Sequence, residues 1–200
     1  MTDSPEQGQT YLIAGLGNPG REYRENRHNV GFMAVDRLAA RLGVTFSRLE
    51  SRALVTKASY QDQRLVLAKP QTYMNDSGAA VSSLARFYKL PLENTLVVYD
   101  EVDLPFGVLR IRPAGGSAGH RGVRSVIERV GGEAFPRLRV GVGRPPGRME
   151  AAAYVLQNFG RDEAAELPAI LDRVADAILV YVSQGLVTAM NQYNGPSVTE

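Results

Sequence analysis

The sequence predicts an α/β fold: a single globular domain in which helices flank a twisted mixed β-sheet. Short apolar runs alternate with longer segments whose apolar residues recur at helical spacing, and this alternation is typical of α/β proteins. The length of 200 residues and the hydrophobic content of 44% suit one domain with a proper core. Because no repeat or linker divides the chain, we expect a domain over residues 10–194, a polar tail at 1–9 and a short tail at 195–200.

The first part of the chain is predicted to contain two strands of a hairpin, one further strand and two helices. They are a buried strand at 11–14, a helix at 28–42, hairpin strands at 53–60 and 64–68, and a helix at about 76–88. Apolar residues at helical spacing predict the first helix, and Gly43 ends it. The polar turn at 61–63 predicts the hairpin. Asn75 or Asp76 is the expected cap of the second helix.

The second part of the chain is predicted to contain three strands and three helices. They are strands at 96–99, 108–112 and 138–142, a helix from the glycine-rich segment 115–122 to about 130, a long helix at about 162–183, and a shorter helix after 185. The short apolar runs have the length of buried strands. The Pro145-Pro146-Gly147 sequence breaks the chain before the long helix.

The composition excludes several kinds of site. Without cysteine, the chain offers no disulfide, no thiolate nucleophile and no cysteine-based metal site. With only two histidines, a histidine-rich metal site is not expected, and nothing indicates a cofactor. The N-terminus lacks a basic-then-apolar signal, and no apolar run reaches the ~20 residues that span a bilayer. We therefore expect a cytoplasmic protein without a membrane partner.

Arginine is concentrated in one segment, although the net charge is only +2. Between residues 107 and 148, only Glu128 and Glu133 oppose the basic side chains. The arginines of this segment are Arg110, Arg112, Arg121, Arg124, Arg129, Arg137, Arg139, Arg144 and Arg148. Guanidinium groups bind phosphate through charge and bidentate hydrogen bonds, so the segment indicates either a nucleic-acid contact or a solvated basic face.

The glycine-rich turn at residues 15–20, GLGNPG, fits the G-x-G-x-x-G pattern of dinucleotide-binding proteins directly after a predicted strand. Its context argues against that function. Pro19 stands where the phosphate-binding helix should begin, and residues 21–27 are too polar for the buried face of that helix. Asp36 has the spacing of the ribose-binding acid but lies inside a predicted helix instead of at a strand end. A nucleotide cofactor is therefore not expected.

The segment at residues 115–119, GGSAG, fits the G-x-S-x-G nucleophile elbow. That motif needs a strand before the serine, a helix after it, and an acid and a histidine later in the chain. Here Pro113 and Ala114 precede the segment, and the only later histidine is His120, on the same turn. Ser117 is thus a poor nucleophile candidate, and a serine esterase is kept only as the third alternative.

The remaining route to hydrolysis is water activated by a general base. His28 is the natural base because imidazole changes charge near neutral pH. Asp100, at the end of a predicted strand, is suited to hold the useful tautomer and to stabilise the imidazolium. Asn18 and Asn75 lie in turns, where an amide can hydrogen-bond a peptide-like substrate or an oxyanion. Each of these side chains also has an ordinary structural role, and the residues alone leave both interpretations open.

Four segments together resemble bacterial peptidyl-tRNA hydrolases. They are GLGNPGREYRENRHNVGF, LAKPQTYMNDSG, VVYDEVDLPFGVLRIRPAGGSAGHRG and FPRLRVGVGRP. Their order and spacing match that family, and the resemblance runs from residue 12 to about 191. It implies hydrolysis of the ester that joins a peptide to the terminal ribose of tRNA, which frees tRNA from chains dropped by the ribosome. It also implies a monomer that binds the tRNA acceptor end and the peptide.

The resemblance implies roles for individual residues. The histidine of the RHN segment, His28, activates water, and Asp100 of the DEVDLP segment stabilises the basic form of that histidine. Asn18 is grouped with these catalytic residues because it contacts the substrate and helps to distinguish peptidyl-tRNA from aminoacyl-tRNA. The implied binding residues are Tyr23, Tyr73, Met74, Asn75, Arg110, Arg112 and Arg139. The three arginines among them would clamp tRNA phosphate, with little sequence specificity.

One position departs from the family pattern. Arg121 stands in a GHRG segment where the family usually has asparagine. A guanidinium donates hydrogen bonds but cannot accept them, so we do not transfer the role of the amide to Arg121, which could instead meet a phosphate. The family analogy also suggests that residues 149–160 form a mobile cover over the cleft. A noncatalytic RNA-binding relative with the same fold is the second alternative.

Overall fold

The protein is described by a computed structural model, which covers residues 8–195. Within these residues, seven strands form one mixed sheet in the order β2-β3-β4-β1-β5-β7-β6. The strands are β1 (Thr10–Gly15), β2 (Arg48–Glu50), β3 (Ala53–Tyr60), β4 (Gln63–Pro70), β5 (Thr95–Glu101), β6 (Leu109–Arg112) and β7 (Arg137–Gly141). The central strands β4, β1, β5 and β7 are parallel, and the pairs β2–β3, β3–β4 and β6–β7 are antiparallel. The predicted α/β class with a mixed sheet is confirmed.

Helices cover both faces of the sheet. They are α1 (Val30–Arg41), α2 (Ser77–Phe87), α3 (Arg121–Val130), α4 (Ala151–Val155), α5 (Arg161–Gln184) and α6 (Leu186–Tyr193). Successive residues of a strand point to opposite faces, so Leu96 and Val98 of β5 join the core under α1 and α5. Val97 and Tyr99 join a second core under α2 and α3. No helix in this part of the chain is long and apolar enough to cross a membrane.

The predicted elements are all present, and the differences lie at their ends. The first helix begins at Val30, after a 3-10 turn over Arg27–Asn29, and not at residue 28. Strand β2 and helix α4 were not predicted, because three and five residues are too few to show a periodicity.

The cap of α2 lies at one of the two predicted residues, but it lacks the expected side-chain hydrogen bond. Asn75 lies inside the preceding 3-10 turn, and Asp76 occupies the cap position without a side-chain hydrogen bond to the helix. The Asp76 carboxylate instead pairs with Arg52 at 3.0 Å and Arg129 at 3.5 Å. Two salt bridges therefore take the carboxylate away from the helix end.

The division into a domain and two tails stays a prediction, since residues 1–7 and 196–200 lie outside the described residues. At the C-terminal boundary, Gly195 is still attached to the sheet. Its backbone N–H and C=O bond to Leu109 at 3.0 and 3.4 Å.

Two glycines bring the start of α1 onto the end of β1. A side chain on Gly15 would collide with the carbonyl group of Gly31, and a side chain on Gly31 would collide with the backbone of Leu16. Since both are glycine, the turn that precedes α1 can lie against the carboxyl edge of the parallel strands. That edge is where α/β sheets bind their ligands.

Candidate active site

A carboxylate buried at the carboxyl end of β5 holds the first histidine. Asp100 follows Leu96 and Val98 on the face of β5 that α1 covers, and it is 3% exposed. His28 lies in the turn Arg27–Asn29 just before α1. Its Nδ1 is 2.9 Å from both carboxylate oxygens of Asp100. The strand alternation and the helix start thus bring together two residues that are 72 positions apart.

The protonation of this pair follows from its surroundings. Burial on its own would raise the pKa of Asp100, but the electrostatic attraction and the hydrogen bonds of His28 and His120 outweigh it. The pKa of the Asp100 carboxyl therefore lies well below its ordinary value of 3.8. An ionised carboxylate only accepts hydrogen bonds, so Nδ1 of His28 must carry a proton. In the neutral imidazole, Nε2 then has the free lone pair that a general base requires.

The second histidine, His120, binds the same carboxylate. Its Nε2 is 2.9 Å from Oδ1 of Asp100, and its Nδ1 accepts the backbone N–H of Val123 at 3.2 Å. The N–H of Val123 thereby fixes the tautomer, so Nε2 of His120 is a donor to Asp100. Sequence reasoning missed this contact. The scarcity of histidine was its only signal, because the contact depends on tertiary structure.

The same contacts argue against Ser117 as a nucleophile. Both ring nitrogens of His120 are occupied, so neither can take a proton from the serine hydroxyl. In addition, Ala118, Gly119 and His120 line the cleft but Ser117 does not. The segment is a loop before α3 and not a strand-to-helix elbow.

Asn18 is held in a fixed orientation beside the two histidines. Asn29 clamps its backbone, accepting from N–H and donating to C=O at 2.9 Å each. The side-chain Oδ1 of Asn18 accepts the backbone N–H of Met74 at 2.8 Å. The amide NH₂ of Asn18 therefore remains as a donor at the cleft wall. Asn29, whose role was not predicted from the sequence, is thus a support for this donor.

These residues line one cleft of about 490 Å³. Tyr73 and Asn75 are exposed beside it, whereas Met74 is buried beneath it. Another part of the cleft wall is apolar and comes from Val102, from α4 and from the residue after α4. The residues that the α4 segment contributes are Ala151, Ala152, Val155 and Leu156. Part of the segment predicted as a cover therefore forms a wall of the cleft, while the mobility of that segment stays a prediction.

The arginine-rich segment is not one free basic face. Arg137 is fully buried and donates to the carbonyl groups of Gly116 and Glu133, both at 3.0 Å, so it holds the glycine-rich loop. Arg129, Arg139 and Arg144 pair with Asp76, Glu101 and Asp103 respectively. The expectation that the whole segment faces solvent or phosphate is corrected, because part of it serves the fold.

The three arginines implied to bind phosphate lie on one face of the sheet, in the β6–β7 pair at its edge. Arg110 lies directly opposite Arg139 in the β6–β7 pair. Arg112 is two residues along β6 and is exposed. Tyr23, by contrast, lies in the 3-10 turn Arg21–Tyr23, and it is not among the residues that line the cleft.

The histidine cluster is also the group of ligand atoms best placed to hold a metal ion. One atom each from His28, Asp100 and His120 lies within 4.8 Å of the others. Those atoms are, however, bonded to one another, since Asp100 accepts from both imidazoles. In this hydrogen-bonded form the cluster can supply a general base without a metal ion, and the absence of a metal requirement stays a prediction.

A base held by a buried carboxylate at the carboxyl edge of a mixed α/β sheet, open to a cleft, is typical of an enzyme that uses general-base catalysis. The family model described as peptidyl-tRNA hydrolase matches residues 12–200. The chain therefore belongs to the peptidyl-tRNA hydrolase family, and the resemblance drawn from its motifs is confirmed.

Individual relatives agree with this assignment. The chain is 52% identical over 185 residues to a peptidyl-tRNA hydrolase of Chloroflexus aurantiacus, covering 92% of this chain and 98% of that protein. It is 43% identical to the peptidyl-tRNA hydrolase of a Thermoanaerobacter species, covering 92% of this chain and 100% of that protein. The crystal structure of the enzyme from Acinetobacter baumannii matches with a TM-score of 0.87 at 34% identity, covering 92% of this chain and 94% of the other.

Proposed function

We propose that this protein hydrolyses the ester between the peptide and the terminal ribose of peptidyl-tRNA, with water activated by His28. One observation carries the mechanism: the ionised Asp100 holds Nδ1 of His28 at 2.9 Å and leaves Nε2 as the basic atom in the cleft. Membership of the family supports the substrate. The reaction frees tRNA from peptides that the ribosome has dropped.

The reaction proceeds in two steps. Nε2 of His28 takes a proton from water while the water oxygen attacks the ester carbonyl carbon, and the carbonyl electrons move to oxygen. Asp100 stabilises the resulting imidazolium. The tetrahedral intermediate then expels the ribose oxygen, which receives the proton from His28 as its bond to carbon breaks. The amide NH₂ of Asn18 supports this oxyanion or the adjacent peptide carbonyl as a fixed donor.

Binding is assigned to residues around and beyond the cleft. Tyr73, Met74 and Asn75 border it on the side of Asn18. Arg110, Arg112 and Arg139 present guanidinium groups at the sheet edge, where they can bind the phosphates of the acceptor stem. Tyr23 is proposed as a further tRNA contact outside the cleft.

Release of labelled peptide from peptidyl-tRNA tests the proposal. The His28→Ala variant should lose about 10² to 10⁴-fold in kcat, the usual contribution of a general base, while it still binds tRNA. The Ser117→Ala variant should keep full activity, because Ser117 does not line the cleft. Normal turnover by His28→Ala would contradict the base assignment. Tight tRNA binding without any release by the wild-type protein would favour the noncatalytic alternative.

We further propose a monomer that acts in the cytoplasm, where peptidyl-tRNA is produced. Every group in the mechanism comes from one chain, which supports a monomer. Light scattering at the protein concentration used in the assay tests this, since a stable dimer would contradict it.

A further inference from the structure

Arg121 is distinguished by its charge among the residues that line the cleft. Of those within the described chain, it alone carries a permanent positive charge. The two carboxylates of the lining are already engaged, Asp100 by the histidines and Glu101 by Arg139 at 3.5 Å. Arg121 itself has no ion-pair partner within residues 8–195 and is exposed. Its guanidinium is therefore free to bind an anion in the cleft.

The position of Arg121 gives no benefit to the fold. Arg121 is the first residue of α3, and the first turn of that helix contains no acidic residue. A cation at a helix N-terminus opposes the helix dipole, at a typical cost of about 0.3–1 kcal/mol. The charge thus lies at a place that is unfavourable for the helix, which is consistent with a role toward a ligand.

Arg121 also lies next to the reacting groups. It directly follows His120, so their Cα atoms are about 3.8 Å apart. The ring centroids of His120 and His28 are 5.0 Å apart. A cation thus lines the cleft one residue along the chain from the histidine cluster that is proposed to activate the water. On the substrate, the reacting ester lies between an acyl group and the terminal ribose, whose nearest negative charge is its 5′ phosphodiester.

We propose that Arg121 binds the phosphodiester that joins the terminal nucleotide to the rest of the tRNA, an inference that rests on the proposed function. This contact determines which part of the substrate lies on each side of the cleft. The nucleotide lies on the side of Arg121 and the neighbouring α3 terminus, and the peptide lies along the apolar wall that includes Val155 and Leu156. Arg121 is thus a binding residue that determines the direction in which the substrate enters.

A pair of short substrates isolates this contact. N-acetyl-aminoacyl esters of the dinucleotide CpA are prepared with either the natural phosphodiester or a neutral methylphosphonate linkage of nearly the same shape. Wild-type protein should cleave the charged ester with a kcat/KM about tenfold higher, in keeping with one charge-assisted hydrogen bond. Arg121→Gln should cleave both esters equally, at the rate wild type shows for the neutral one, and Arg121→Lys should restore most of the difference.

The control is Arg124→Gln, which removes an exposed arginine from the same helix outside the cleft lining. It should discriminate between the two esters as wild type does. With full peptidyl-tRNA, Arg121→Gln should raise KM about tenfold and leave kcat nearly unchanged.

Each other outcome has a distinct meaning. Equal cleavage of the two esters by wild type, or unchanged discrimination by Arg121→Gln, overturns the phosphate contact. If Arg121→Gln lowers kcat/KM by the same factor for both esters, Arg121 only shapes the cleft, and the proposal is overturned. Failure of wild type to cleave any ester, peptidyl-tRNA included, would instead overturn the proposed function.

Discussion

The carboxylate of Asp100 determines which nitrogen of His28 acts as the base. Nδ1 of His28 is 2.9 Å from both carboxylate oxygens. In Asp100→Asn, an NH₂ group replaces one of these two acceptors, whichever way the amide is oriented. His120 donates to Oδ1 and favours the amide oxygen there. The NH₂ group then faces Nδ1 and favours the wrong tautomer of His28.

We therefore expect Asp100→Asn to lower kcat by about 10² to 10⁴-fold with little change in KM. Single-turnover release of peptide measures the chemical step. Asp103→Asn is the control, since Asp103 is an exposed residue that pairs with Arg144 and is not among the residues that line the cleft. A variant at Asp100 with normal kcat would show that the carboxylate does not orient the base.

The dependence on pH tests the charge state of Asp100. The pKa of this carboxyl lies below its ordinary 3.8, because the hydrogen bonds and electrostatic attraction of His28 and His120 stabilise the charged form. Protonation of Asp100 should therefore cause no fall in log kcat/KM at any pH above 3.8. Profiles of wild type and Asp100→Asn, over the pH range in which the fold persists, measure this. A fall in the wild-type profile that is missing from the Asp100→Asn profile would contradict it.

The amino-acid sequence singles out the proposed reacting residues better than it does their supports. His28 and Asp100 were candidates because few residue types can act as base and acid in a chain without cysteine, and the resemblance to the family implied their roles. The contacts of His120 and Asn29 could not be predicted, since each is made to a residue at least 11 positions away in the chain. Arg137 looked like part of a basic surface and is instead buried. Charge patterns along the chain do not show which cations fold inward.

Secondary-structure elements followed the hydrophobic pattern wherever they were long enough to have one. The hairpin β3–β4 and the helix α5 agree with prediction to within two residues. Helix α4 did not show a period, yet it forms a wall of the cleft. The position of α4 depends on side chains from other parts of the chain. One of these is Arg27, the residue before His28.

Arg27 ties the segment after α4 to the turn that carries His28. Its buried guanidinium donates to the carbonyl group of Asn158 at 2.7 Å and pairs with Glu163 at 2.5 Å. It also lies 4.2 Å from the centroid of the Tyr154 ring. The cleft wall and the catalytic turn therefore share one anchor.

Arg27→Ala should lower the free energy of unfolding by about 3 kcal/mol, as for other buried ion pairs that lose one partner. It should also raise KM, because the wall is no longer anchored. Urea unfolding and steady-state kinetics measure the two effects. Arg37→Ala is the control: its pair with Asp172 is exposed, so the loss should stay below about 1 kcal/mol. Equal stability of the two variants would show that Arg27 anchors nothing.

In the whole molecule, the cleft and the arginines proposed to bind the acceptor stem belong to different parts of the sheet. The carboxyl ends of β1, β4 and β5 supply the cleft, while β6 and β7 at one side of the sheet carry the arginines. Arg110 faces Arg139 directly across this pair of strands. Like charges in that arrangement destabilise a sheet. Glu101 offsets part of this repulsion through its pair with Arg139 at 3.5 Å, and a tRNA phosphate against Arg110 would offset more of it.

The salt dependence of tRNA binding tests this whole-surface role. Each phosphate contact releases counterions and adds roughly 0.7 to 0.9 to the slope of log K against log salt. Arg110→Ala combined with Arg112→Ala should reduce the slope by roughly 1 to 2 and leave kcat on bound substrate unchanged, because neither residue lines the cleft. Arg37→Ala with Arg41→Ala removes the same charge from α1, on the other face of the sheet, and should leave the slope nearly as it is in wild type. Fluorescence anisotropy of labelled tRNA at several salt concentrations gives both slopes. If both double variants reduce the slope of log K against log salt equally, net charge alone attracts tRNA. Arg110 and Arg112 on β6 then make no specific phosphate contact.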